Sequence, residues 1–128
     1  MAEMTIKKRP KHLDLTKIRL PVAAKVSILH RVSGAGLFLC LPVILWLFGA
    51  SLGSPESFAS FKEIAGLLPV KVVLVGLLWA FVHHFCAGIR FLLLDLHIGI
   101  EKEAASKSAV GVLVVSIPLA LVLWGALL

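Results

Sequence analysis

His83-His84-Phe85-Cys86-Ala87-Gly88-Ile89-Arg90-Phe91-Leu92-Leu93-Leu94-Asp95 places ionisable side chains inside a segment otherwise apolar enough to cross a bilayer. Polar groups at that depth are costly, which makes them functional candidates. His84, Gly88, Phe91 and Asp95 recur at i, i+4, i+7 and i+11 and so share one face of a single helix. Upstream the same face continues through Ala80 and Gly76. A stripe of small residues interrupted by one histidine suits a flat macrocycle lying against the backbone, with the imidazole reaching the macrocycle's metal.

The rest of the chain fits a bilayer protein. Of its 128 residues, 59% are hydrophobic, too large a share for an ordinary soluble domain. No charged residue occurs from Val32 to Pro55, from Val72 to Ile89, or from Ser108 to Leu128, and a span needs roughly 20 apolar residues. The expected architecture is an all-α membrane protein with three transmembrane helices at about residues 26–50, 70–96 and 108–128. Residues 1–25 would form a basic N-terminal segment preceding this 26–128 domain. Eight of the 13 Lys and Arg fall in the first 31 residues against two acids, while the Ser51–Lys71 loop is nearly balanced. The positive-inside rule therefore predicts a cytoplasmic N-terminus.

Lys7, Lys8, Arg9 and Lys11 beside a membrane helix set topology and contact anionic lipid, a simpler reading than nucleic-acid binding. Pro10 and Pro21 interrupt the segment and no small-residue cleavage pattern follows the first apolar run, so a cleaved signal peptide is not expected. Cys40 and Cys86 lie inside predicted spans, where they read as small apolar packing residues. Two cysteines cannot hold an iron–sulfur cluster, and no Cys-x-x-Cys-His, Gly-x-Gly-x-x-Gly or Walker loop is present. Flavin, nucleotide or iron–sulfur chemistry associated with this chain would therefore sit on another polypeptide.

A second constellation opens the first span, in Ser27-Ile28-Leu29-His30-Arg31-Val32-Ser33-Gly34. Ser27 and Arg31 are one turn apart, so a hydroxyl and a guanidinium converge on one small polar group near the membrane boundary. Arg31 also fits an arginine that merely reaches for lipid phosphate. Ser33-Gly34-Ala35-Gly36, followed by Cys40, offers a small-residue face for close packing by a helix or cofactor. With the first span starting at about residue 26, His84 lies near mid-membrane and His30 only a turn inside its boundary, a depth difference of roughly 12 Å. This spacing predicts that the two do not ligate one metal together and that a second axial ligand comes from another subunit.

Arg9-Pro10, Leu15, Pro21, Ser27-x-x-His30-Arg31-x-Ser33 and the later His84-x-x-x-Gly88-Ile89-Arg90-Phe91 with Asp95 resemble the two signatures of the cytochrome b membrane-anchor subunits of succinate dehydrogenase. The resemblance covers nearly the whole chain. It implies a multi-pass subunit of the bacterial-type cytoplasmic membrane, in an electron-transport complex of the tricarboxylic acid cycle. There a flavoprotein oxidises succinate, an iron–sulfur subunit relays electrons, and two small anchors bind haem b and ubiquinone. Carried over by residue, it makes His84 the axial ligand of haem iron, Ser27 and Arg31 quinone-site residues, and His30 and Arg31 partners of the haem propionates. It places Asp95 near Arg31, and it assigns the second haem histidine and a quinone-site tyrosine to the other anchor, this chain having no tyrosine. Lys11, Phe91, Leu94 and His97 depart from the family's usual residues. No complete active site is expected in this chain alone.

Other readings remain beside this one. A fumarate reductase anchor using menaquinol would share the same features. A non-redox assembly or transport subunit would use its histidines to gate or pack. Arg90 shares a face with His83 and Ala87, where it would support a propionate or anchor the helix at the interface. His83 faces a groove other than that of His84, His12 and His97 read as interfacial, and Trp46, Trp79 and Trp124 as packing or belt residues. Pro42 and Pro118 predict kinks.

Overall fold

The computed structural model describes residues 17–127. The expectations resting on Lys7, Lys8, Arg9, Pro10, Lys11, His12 and Leu15 lie outside that range. Four helices follow one another: α1 (Val22–Gly53), α2 (Pro55–Gly66), α3 (Leu68–Asp95) and α4 (Lys102–Leu127). Among the described residues, α1, α3 and α4 are long and apolar enough to cross a membrane. The three-span all-α architecture thus stands, with one helix added.

Each helix begins where local chemistry lets it. Pro21, extended at φ −64° and ψ 157°, is the N-cap of α1, so the helix starts four residues before the span predicted at 26. Its 32 residues make it about 48 Å long, longer than the hydrocarbon core, so it tilts or extends beyond the core. The α2 helix occupies what the charge balance suggested was a loop. Ser54 caps it through a reciprocal box in which Ser57 N donates to Ser54 Oγ (3.1 Å) and Ser54 N donates to Ser57 Oγ (2.9 Å), with Pro55 following the cap. Ser57 Oγ also donates to the Ala50 carbonyl at 2.6 Å, tying α2 to the end of α1.

At the opposite end α3 closes in a full Schellman motif. His97 takes the left-handed conformation (φ 62°), its N–H reaches the Leu94 carbonyl at 2.9 Å, and Ile98 N–H reaches the Leu93 carbonyl at 2.9 Å. The chain then turns through Gly99 (φ 73°) into α4.

The helices pack as an antiparallel trio around a small core of Val26, Ala87, Ala109 and Val112. Most large apolar side chains point outward instead, Phe38 and Leu39 each 73% exposed, as a bilayer solvent allows. The start of α1, the end of α3 and the start of α4 share one end of the bundle; α2 lies at the other.

Candidate functional site

The site forms where α1 and α3 cross near the end of the bundle that carries the start of α1. His84 on α3 lays its imidazole face to face on that of His30 on α1, centroids 4.1 Å apart and planes 9° apart. Phe91, two turns further along α3, closes the other side of His30 with its ring centroid 5.0 Å away. His84, Gly88 and Phe91 therefore do share one face, and that face meets α1.

This stack corrects the predicted separation in depth. Because α1 begins at Val22, His30 lies eight residues, or about 12 Å, inside the bundle. His84 lies eleven residues, or about 16 Å, from the end of α3 at Asp95. The two histidines are nearly level. They still cannot be the two axial ligands of one metal, because ring-nitrogen lone pairs lie in the ring planes and two rings stacked face to face aim none of them at each other. The expectation that the two do not ligate one metal together therefore holds on this different ground.

Hydrogen bonding fixes which nitrogen of His84 is free. Its Nδ1 lies 3.0 Å from the His30 carbonyl and 3.2 Å from Ser33 Oγ. Ser33 Oγ already donates to that same carbonyl at 3.0 Å, so both oxygens accept from the ring and the proton sits on Nδ1. Nε2 then carries the lone pair and makes no hydrogen bond to any described residue. An imidazole oriented through Nδ1 by a carbonyl and a hydroxyl is the arrangement that metal-ligating histidines use. Ser33 and the His30 backbone were not expected in this role; the only sign in the sequence was the small-residue run that begins at Ser33.

Gly34 makes the approach possible. A Cβ at position 34 would stand 2.7 Å from His84 Cε1 and 3.2 Å from Nδ1, closer than real side chains come. Beside it an apolar groove of about 330 Å³ runs between α1 and α3, lined among others by Ser33, Gly36, Cys40, Gly76, Trp79 and Ala80. This is the continuation of the small-residue stripe through Ala80 and Gly76. Among the described residues no three potential ligands gather to hold a metal ion by themselves. One oriented imidazole beside an apolar groove whose lining includes Gly36, Gly76 and Ala80 instead suits a metal already carried by a planar macrocycle.

Arg31 and Ser27 meet as their spacing predicts, Nη2 donating to Oγ at 3.1 Å on the exposed side of α1. Asp95, the last residue of α3, is exposed and forms no ion pair with Arg31. Arg90 turns to the other neighbour: Nε donates to Ser108 Oγ and Nη2 to the Ala105 carbonyl, both at 3.0 Å, joining α3 to α4. His83 is fully buried, neither ring nitrogen hydrogen-bonded to any described residue, with the Trp79 ring 5.3 Å away.

Three long apolar helices, two of them crossing at an oriented histidine, are those of a polytopic membrane protein. The chain belongs to the succinate dehydrogenase/fumarate reductase transmembrane subunit family, whose model matches residues 5–123. It is similar to succinate dehydrogenase cytochrome b556 subunits of several bacteria. That of Coxiella burnetii is 40% identical over 92% of this chain and 94% of the relative. The one from Paracoccus denitrificans is 34% identical over 94% and 92%, and the Rickettsia prowazekii protein 30% identical over 91% of each.

Proposed function

We propose that this chain is the larger membrane anchor of a succinate:ubiquinone oxidoreductase, contributing His84 Nε2 as one axial ligand of haem b. The observation that carries this is the tautomer imposed on His84, whose Nδ1–H is held by the His30 carbonyl and Ser33 while Nε2 is left available. Haem would supply one-electron storage between the iron–sulfur subunit and the quinone. The chain's own residues orient and bind: Gly34 makes room for the His84 ring, Gly36, Gly76 and Ala80 leave room beside it for a flat ring, and the imidazole of His30 with the guanidinium of Arg31 provides donors for propionates. Asp95 adds a carboxylate at that end at longer range, while Arg90 faces α4 instead.

Ubiquinone would bind at Ser27 and Arg31. A quinone carbonyl gains negative charge as it is reduced, and a guanidinium already steadied by a hydroxyl one turn away is preorganised to stabilise that charge. Burial of the redox centres, the flavin and the iron–sulfur clusters on partner chains leaves this chain without a complete active site. Those partners are the flavoprotein, the iron–sulfur subunit and a second small anchor that supplies the other haem histidine and a quinone-site tyrosine. The basic residues 1–25 and the end carrying Lys25 and Arg31 face the cytoplasm, in the inner membrane of a bacterium. Succinate oxidation is preferred to menaquinol-driven fumarate reduction because the curated relatives carry the succinate dehydrogenase name.

A dithionite-reduced minus oxidised spectrum of the complex purified with this chain tests the reading. A low-spin b-type haem that disappears in His84→Ala is expected. A complex without haem leaves the non-redox reading in its place, and an unchanged haem spectrum in that variant removes His84 as the ligand.

A further inference from the structure

Arg90 carries a charge that nothing in the described chain neutralises. Its side chain is 94% buried (relative exposure 6%), yet its two hydrogen-bond acceptors, Ser108 Oγ and the Ala105 carbonyl, are both uncharged. Phe91 lies below the guanidinium, its ring centroid 5.3 Å from Cζ. Among the described residues no carboxylate reaches it, and Glu103 on the adjoining first turn of α4 is taken by Lys107 at 2.7 Å. A buried cation of this kind is strongly unfavourable unless an anion joins it. Two of its five N–H groups are used, which leaves an unfilled fork for a multidentate oxyanion.

The space beside it has the shape of an amphipathic ligand. A cavity of about 380 Å³ at the α3–α4 turn is lined by Arg90 and Ser108 on one side and by Leu93, Leu94, Ile98 and Ala104 on the other. Leu93 and Ile98 are 43% and 56% exposed, so the apolar wall opens outward to the bilayer. Arg90 sits five residues before the end of α3, about 7 Å below it, near the boundary between headgroups and hydrocarbon. The same end of the bundle carries Lys25, Arg31, Lys102 and Lys107, whose positive field concentrates anionic lipid. Six residues separate Arg90 from His84, which sets the two about 120° apart around α3 and keeps this cavity off the histidine face.

We infer that Arg90, with Ser108, binds the phosphate of an anionic phospholipid whose acyl chains lie along Leu93 and Ile98. The inference needs only that the chain is embedded in a membrane; it does not rest on the haem and quinone reading. The full-length chain, purified with its complex in mild detergent, would be examined by native mass spectrometry for retained phospholipid. The wild type should keep about one phospholipid per chain through detergent washing. Arg90→Gln should lower that occupancy tenfold or more, the range expected for losing a charge-assisted contact, and Arg90→Lys should keep most of it. Equal occupancy in Arg90→Gln overturns the site. Should Arg90→Gln not assemble, delipidated wild type decides. Rebinding of phosphatidylglycerol that raises its thermal midpoint supports the inference, whereas the same rise from inorganic phosphate alone at equal concentration shows a free-anion site and overturns the lipid.

Discussion

Gly34 and His84 fit together so closely that a single methyl group separates two geometries. A Cβ at position 34 would stand 2.7 Å from Cε1 of an imidazole pinned at Nδ1 by two oxygens, so the ring would have to swing off those bonds to make room.

Gly34→Ala should therefore weaken haem binding without unfolding the chain. Alanine favours the helix by up to ~1 kcal/mol, while displacing a ligand-orienting contact lowers metal affinity by about 10- to 100-fold. Gly49, on the same helix but outside the groove and with nothing within 4 Å of an added Cβ, is the matched control. Haem-to-protein ratios of the purified complexes should fall for Gly34→Ala and stay level for Gly49→Ala; equal ratios would contradict a pinned ring.

The stack of His30 on His84 separates two roles. His84→Ala should abolish the low-spin haem signal. His30→Leu should retain it, because the His30 carbonyl that holds Nδ1 is backbone and survives, although loss of a propionate donor should shift the midpoint potential. If His84→Ala keeps a weakened signal, the double variant shows whether His30, only 4.1 Å away, has stepped in.

Arg31→Ala should lower succinate–quinone reductase activity by about ten- to a hundred-fold, the equivalent of about 1.5–3 kcal/mol for a charge-assisted hydrogen bond that tightens in the transition state. Succinate oxidation with a soluble acceptor that draws electrons upstream should be nearly unchanged. Ser27→Ala should show the same pattern more mildly, since it frees the guanidinium held at 3.1 Å without removing it. Near-normal quinone reduction in both would assign Arg31 to lipid phosphate.

His83 offers a test of packing. Its ring is fully buried and neither nitrogen has a partner, so His83→Phe, which keeps the volume and removes the unmatched polar atoms, should be neutral or stabilising by about 1 kcal/mol. His83→Ala should destabilise by about 2–4 kcal/mol through the cavity it leaves. Thermal unfolding in detergent reads both, and the haem spectrum should not change in either. A clear loss for His83→Phe would mean that the imidazole is hydrogen-bonded in the assembled complex.

The three spans were legible because charge vanishes over long stretches, and the shared face of His84, Gly88 and Phe91 because helical spacing fixes it. The level of His30 was not, since Lys25 seemed to bound the first span although the helix runs back to Pro21, whose capping position was the better marker. The α2 helix was signalled by Ser54-Pro55 with Ser57 but masked by a polar composition that suggested a loop. Which neighbour Arg90 and His83 face depends on where α4 packs, a tertiary choice that the spacing along α3 does not contain. The tautomer of His84 depends on a backbone carbonyl, which no side-chain pattern announces.

The hydrogen bond from His84 to the His30 carbonyl joins positions 54 residues apart. It sets an order in biogenesis. A nascent chain whose first span has entered the bilayer has only the α1 wall of the groove, and both the α3 wall and the imidazole arrive when α3 threads back across. On the proposed reading, haem capture would have to follow insertion of the second span, whereas α4, which adds no residue to the histidine pair or to the groove beside it, would act as a brace.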